Sequence, residues 1–175
     1  RFKKEILEVK FNDISIDQLL NMTVDDAILF FEEFAQNKLV QKLKPLQEVG
    51  LGYVSLGQPS TTLSGGEAQR IKLASFIGRG ASSEKIAFIF DEPTTGLHFH
   101  DVRKLLNTFD KLIRMGHSIL VIEHNLDMIS CADHIIDLGP EGGDKGGKIV
   151  AEGTPEEIIK VKKSYTGQYL KSKII

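Results

Sequence analysis

Ile86-Ala-Phe-Ile-Phe-Asp-Glu-Pro-Thr-Thr-Gly-Leu-His98 is a short apolar run that ends abruptly in two adjacent carboxylates. The run from Ile86 to Phe90 is too short for a helix and rich in β-branched and aromatic residues, so it predicts a buried strand. Beyond it, helical and strand patterns alternate. Asp101 to Met115 has helical spacing and stops at Gly116, Ile119 to Ile122 is a second strand, Asn125 to Cys131 a short helix, and His134 to Leu138 a third strand. Lys148 to Glu152 adds a strand, and Thr154-Pro-Glu-Glu157 opens a last helix with proline at its first position. Such alternation predicts an α/β fold with a mainly parallel sheet. Ligands of open α/β sheets bind beyond the C-terminal strand ends, where Asp91 and Glu92 fall. Side chains alternate sides along a strand, so the two carboxylates can take different roles.

Upstream the pattern is mainly helical. Alternation between Ile6 and Ile16 suggests short strands. Thr23 and Asp26 then form a capping box for a helix from Val24 to Phe34, whose Ala27, Ile28, Phe30, Phe31 and Phe34 make one buried face. These phenylalanines read as core, not as a stacking platform. A helix from Lys38 to Val49 ends at Gly50-Leu-Gly52. The character changes after Gly80, which places one portion at residues 1–80 and another at 81–175.

Composition bounds the function. The chain has 175 residues, 41% hydrophobic and 26% charged, enough for one domain or two small lobes and unlike a disordered chain. No apolar run reaches the length of a membrane span. A net charge of −2 gives no general footprint for nucleic acid, and the lysines at 38, 42, 44, 160, 162, 163, 171 and 173 read as solvated faces. The one cysteine, Cys131, excludes an internal disulfide or a cysteine-pair zinc site and reads as a small buried residue. A start at Arg1 with no signal-like stretch suggests a fragment of a cytoplasmic protein.

Leu63-Ser-Gly-Gly-Glu-Ala-Gln-Arg70 precedes an apolar helical face of Ile71, Leu73, Ala74 and Ile77. A helix N-terminus leaves four N–H groups unpaired and carries about half a positive charge, so it attracts phosphate, and glycine lets the backbone approach closely. A serine cap followed by two flexible glycines explains Ser64 to Gly66 equally well when they are taken alone. His124 immediately follows the strand Ile119 to Glu123. Gly142-Gly-Asp-Lys-Gly-Gly-Lys148 has the spacing of a phosphate-binding loop, but Ile149 stands where serine or threonine is needed, and the next element is a strand where a helix is needed. It reads instead as a hairpin loop.

These motifs, in this order, resemble those of ABC-type ATPases. The resemblance implies that Ser64, Gly65, Gly66 and Glu67 form a signature motif, with Ser64 and Gly66 facing the γ-phosphate of ATP held by an opposing domain. It implies that Asp91 holds Mg²⁺ through its water shell, that Glu92 positions or deprotonates the attacking water, and that His124 is a switch histidine contacting the γ-phosphate. Thr95, Gly96, Leu97 and His98 would form the loop that joins two ATP sites. Leu51-Gly-Tyr-Val-Ser-Leu-Gly-Gln-Pro59, Glu123-His-Asn-Leu-Asp127 and Asp137-Leu-Gly-Pro-Glu-Gly-Gly143, with the stretch from Asp91 to His98, further resemble the C-terminal part of the second nucleotide-binding domain in the UvrA family. The likeness runs from Arg1 to the Ser164-Tyr-Thr-Gly-Gln-Tyr-Leu170 tail.

Membership would make residues 1–80 the end of a signature lobe and 81–175 the Walker B lobe. It implies a damage-recognition ATPase of bacterial nucleotide excision repair, which pairs its two nucleotide-binding domains, forms a UvrA homodimer, binds damaged double-stranded DNA and loads UvrB. The family's P-loop and zinc module lie upstream of the matching segment, so the isolated chain is expected to be inactive. The alternative is the nucleotide-binding subunit of an ABC transporter. Transporters usually carry serine, alanine, leucine and aspartate at positions 95 to 98, where this chain has Thr-Gly-Leu-His.

Overall fold

The computed structural model describes residues 2–78, 84–143 and 146–174. The expected change of character at Gly80, and Asp144 and Lys145 of the glycine-rich loop, lie outside the described residues. The chain forms two compact units, residues 1–121 and 122–175.

The first unit begins with helix α1 (Lys4–Leu7) and a small antiparallel pair, β1 (Lys10–Phe11) with β2 (Ile14–Ser15). Asn12 and Asp13 turn between them with φ of 45° and 64°, the left-handed pair that matches strand twist in a two-residue hairpin. The strands expected from Ile6 to Ile16 are therefore present but shorter, because α1 takes up Ile6 and α2 (Ile16–Asn21) starts at Ile16. Helix α3 (Val24–Glu33) starts where expected, with Thr23 Oγ1 accepting from the Asp26 amide at 3.1 Å. It buries Val24, Ala27, Ile28 and Phe31 against Val40 of α4 (Asn37–Glu48). Phe30 and Phe34 meet Phe11 edge-on, at centroid distances of 6.0 and 5.9 Å, which extends this core.

Helix α5 (Gly65–Ile77), strand β3 (Ala87–Asp91), helix α6 (Phe99–Arg114) and strand β4 (Ser118–Ile122) come next. β3 and β4 are neighbours in one sheet, joined by α6, a crossover of the length that parallel pairing requires. α6 buries Val102, Leu105, Phe109 and Leu112, and Phe109 packs on Phe90 of β3 with ring centroids 4.9 Å apart. His117 is buried between Phe76 and Phe88, and its Nδ1 accepts from the Ile86 amide at 3.2 Å. On the strands' other side Ile89, Leu120 and Ile122 stay 69%, 55% and 56% exposed.

In the second unit α7 (Leu126–Ile129) precedes an antiparallel pair, β5 (Ile135–Gly139) with β6 (Lys148–Gly153). Gly139 pairs with Lys148, so the glycine-rich segment closes a hairpin, and Lys148 begins a strand rather than a helix. Helices α8 (Pro155–Ile158) and α9 (Tyr165–Ile174) cover the pair, and Ile135, Ala151, Ile158 and Leu170 form the core. Helix α9 has a weak sequence signal because Gly167 interrupts it. A Cβ at Gly167 would lie 2.3 Å from the Ile158 carbonyl, so glycine is what permits α9 to approach α8. Cys131 is exposed just after α7, which corrects its reading as a buried residue: the helix ends at Ile129 and the turn carries Cys131 outward. Among the described residues no helix is long and apolar enough to cross a membrane.

Candidate functional site

Ser64 caps α5 from extended backbone, with φ of −67° and ψ of 162°. Its Oγ accepts from the Glu67 amide at 3.2 Å, and its own amide donates to Glu67 Oε2 at 2.8 Å. This reciprocal box fixes the first turn. The two glycines differ. A Cβ at Gly65 would meet open space, whereas one at Gly66 would lie 3.2 Å from an Arg70 guanidinium nitrogen, 3.3 Å from the Glu92 carbonyl and 3.4 Å from the Thr95 carbonyl. Gly66 is thus the point where α5 seats on the turn after β3.

Glu67 also accepts from the Tyr53 hydroxyl at 2.7 Å, and Arg70 Nη2 donates to that hydroxyl at 3.4 Å. The Tyr53 hydrogen bond holds the Glu67 carboxyl below the usual glutamate range, and donation from Ser64 helps. Burial, then the bond to Glu67, pushes the Tyr53 phenol up. Arg70 is fully buried, and burial lowers its guanidinium, with Tyr53 and Glu67 opposing that shift. Arginine stays charged regardless, so its buried N–H groups call for acceptors, which Nη1 and Nη2 find and the buried Nε does not.

For Nη1 those acceptors are the backbone of the acidic turn. Asp91 is the last residue of β3, and Glu92 then takes φ of 46°, a left-handed value unusual for a residue with a side chain. Thr95 donates its amide to the Glu92 carbonyl at 3.1 Å and its Oγ1 to Glu92 Oε2 at 3.4 Å. Arg70 Nη1 donates to the carbonyls of Pro93 and Thr95. The Gln69 carboxamide donates to the Asp91 carbonyl at 3.0 Å and accepts from the Asp91 amide at 3.2 Å. Pro93 and Thr94 are buried beneath, while Asp91, Glu92, Thr95 and Gly96 face solvent. Leu97 donates to the Thr94 carbonyl at 3.0 Å, and His98 then caps α6.

His124 belongs to the second unit. It is exposed, two residues after the end of β4. The Glu123 carboxylate accepts from the amides of His124 and Asn125, both at 3.0 Å, and Asn125 Oδ1 caps α7 by accepting from Asp127 and Met128. His124 lines a shallow cavity of about 250 Å³ with Glu123, Leu126, Ile129, Thr166 and Tyr169. Thr166 and the buried Ser164 both donate to Asp137 of β5, at 2.8 and 2.6 Å, which ties the cavity wall to the sheet.

The first unit therefore brings together Ser64, Gly65, Gly66 and Glu67 with Asp91, Glu92 and the Thr95 to His98 loop. Sequence reasoning missed Gln69 and Arg70, which do the joining, and Tyr53, which braces Glu67 and Arg70. Among the described residues no cluster of three or more His, Cys, Asp or Glu side chains could enclose a metal. A single exposed carboxylate such as Asp91 suits Mg²⁺, which keeps several waters and binds through one or two carboxylates plus substrate phosphates.

No family model matches the chain. Over 171 residues it is 58% identical to a Clostridium acetobutylicum protein named UvrABC system protein A, covering 98% of this chain and 18% of that protein. A Rickettsia prowazekii protein of the same name is 55% identical over 175 residues, covering 100% and 18%. Among solved structures, UvrA2 from Deinococcus radiodurans superposes with a TM-score of 0.80 at 42% identity, covering 98% of this chain and 21% of that one. A bacterial Atm1-family ABC exporter with ATP bound reaches 0.52 at 19% identity, a likeness of fold alone. The chain spans 18% of the length of the curated relatives it matches.

Proposed function

We propose that this chain, a segment of the UvrA family, supplies the signature helix and the hydrolytic carboxylates of an ABC-type ATPase acting in bacterial nucleotide excision repair. The observation that carries the reading is the docking of the Asp91–Thr95 turn on the helix that starts at Ser64, through Gln69, Gly66 and Arg70. One compact unit thereby holds both a phosphate-seeking helix end and a carboxylate pair.

In this reading Ser64 Oγ and the first-turn amides at Gly65 and Gly66 face the ATP of an opposing domain. Glu67 contributes by fixing that turn, its own charge engaged by Tyr53 and Ser64. Asp91, Glu92 and His124 serve another ATP. Asp91 would hold Mg²⁺ through water, and the bound ion would supply charge neutralisation of the phosphates. Glu92 orients the attacking water and takes its proton, while His124 donates to the γ-phosphate. Thr95, Gly96, Leu97 and His98 carry the state of one site to the other. Residues 1–80 are then the end of a signature lobe and 81–175 a Walker B lobe.

The whole protein would be of the relatives' length, cytoplasmic and homodimeric, with its own other nucleotide-binding domain, UvrB and damaged double-stranded DNA as partners. Zinc would belong to an upstream module. Glu92→Gln in the full-length protein tests the reading. ATP should still bind while turnover falls by about 100-fold or more, the usual worth of a positioned base. Unchanged turnover would remove Glu92 from its role and the hydrolytic reading with it.

A further inference from the structure

Asp91 closes β3, and the left-handed Glu92 prevents the strand from running on. At this point the ladder is continued by a side chain. The Gln69 carboxamide both donates to the Asp91 carbonyl, at 3.0 Å, and accepts from the Asp91 amide, at 3.2 Å. An antiparallel neighbour exchanges the same two bonds with its partner residue. One bond would leave the Asp91 residue free to swivel, whereas two of opposite polarity fix its height and its rotation. Gln69 sits within the second turn of the helix that Ser64 caps, so any shift of that helix end is delivered to Asp91 at the backbone.

We propose that Gln69 is a positioning residue: by pairing with both backbone groups of Asp91 it sets where the two carboxylates stand, and it links their placement to the ligand state of the Ser64 helix. The proposal rests on the hydrolytic reading of Asp91 and Glu92. Arg70 holds the later carbonyls of the turn, at Pro93 and Thr95, while Gln69 holds the Asp91 end. A one-ångström error in a reacting group costs up to about 100-fold in rate, so partial release at this end has a measurable effect.

The test uses Gln69→Met and Gln69→Glu in the full-length protein, beside Glu92→Gln. Methionine keeps the length without either bond, and glutamate keeps only the acceptor. Both variants should lose about tenfold in kcat for ATP hydrolysis with KM for ATP held within about twofold. The Mg²⁺ concentration giving half-maximal rate should rise several-fold, and the Asp91 amide should exchange with solvent deuterium faster, while Tm stays near wild type. A loss of rate that merely tracks the folded fraction, with Mg²⁺ dependence unaltered, overturns the positioning role. So does a folded Gln69→Met with unchanged kcat. If Glu92→Gln is inactive in the same assay, such a failure belongs to Gln69 alone; if Glu92→Gln is fully active, the hydrolytic reading beneath it has failed.

Discussion

Tyr53 stands between a carboxylate and a buried guanidinium, donating to Glu67 at 2.7 Å and accepting from Arg70 at 3.4 Å. Removing its hydroxyl in Tyr53→Phe takes an acceptor from Arg70 and leaves Glu67 Oε1 without this donor, a loss of about 1 kcal/mol for a hydrogen bond of this kind. That loss depends on pH. Glu67 is depressed in the fold, so its contribution exists above the ordinary value of 4.5 and is lost as pH falls through the lower folded value. Tyr53 is raised, so its contribution exists below the ordinary value of 10.0 and is lost as pH rises through the higher folded value. The stability gap between wild type and Tyr53→Phe should therefore be widest between those two values and close at both ends, as denaturant melts across pH would read. A gap independent of pH would mean that only packing was lost. None of this was legible in the sequence. Ser64, Asp91 and Glu92 stand out because each lies beside its own motif, but Tyr53, Gln69 and Arg70 matter through partners 14 to 25 residues away.

Helix α5 and the turn after β3 meet at Gly66, and the paired glycines allow that meeting to be tested. Alanine favours a helix over glycine by up to about 1 kcal/mol, so at Gly65, where an added Cβ meets nothing, Gly65→Ala should be neutral or slightly stabilising. At Gly66 the same Cβ would press on two carbonyls and on the Arg70 guanidinium at 3.2 to 3.4 Å, and carbonyls held by Arg70 and Thr95 give way poorly. Overpacking of that kind costs about 1–3 kcal/mol and outweighs the helix gain, so Gly66→Ala should lower Tm while Gly65→Ala does not. Equal effects in the two melts would dissolve the distinction between an open and a docked glycine. At this scale the sequence was informative wherever periodicity was strong, in α3, α4, α6 and the strands from Ile86 onward. It under-read α1, α2 and α9. Helices α1 and α2 are only a turn or two long, and α9 contains a glycine demanded by its neighbour rather than by its own conformation.

Among the described residues each sheet has two strands, and such pairs are marginal by themselves. Ile89, Leu120 and Ile122 on one pair, and Ile136, Leu138 and Ile149 on another, are apolar and exposed, more than scattered surface residues explain. Under the proposed ATPase reading, the site would need groups beyond those of this chain. The phosphate grip is the clearest case. A P-loop wraps phosphate in the amides that lead into a helix, but Gly142 to Lys148 leads into β6, and Lys148 pairs with Gly139 across the hairpin. In the proposed reading the carboxylates and the Ser64 helix orient and hydrolyse, and neither encloses a triphosphate. Calorimetric titration of Mg-ATP into the isolated chain should therefore give barely detectable heat, with dissociation in the millimolar range or weaker, an affinity of about 4 kcal/mol or less. Tight one-to-one binding would mean that the hairpin loop holds phosphate after all, and the rejection of Gly142 to Lys148 as a nucleotide loop would fall first.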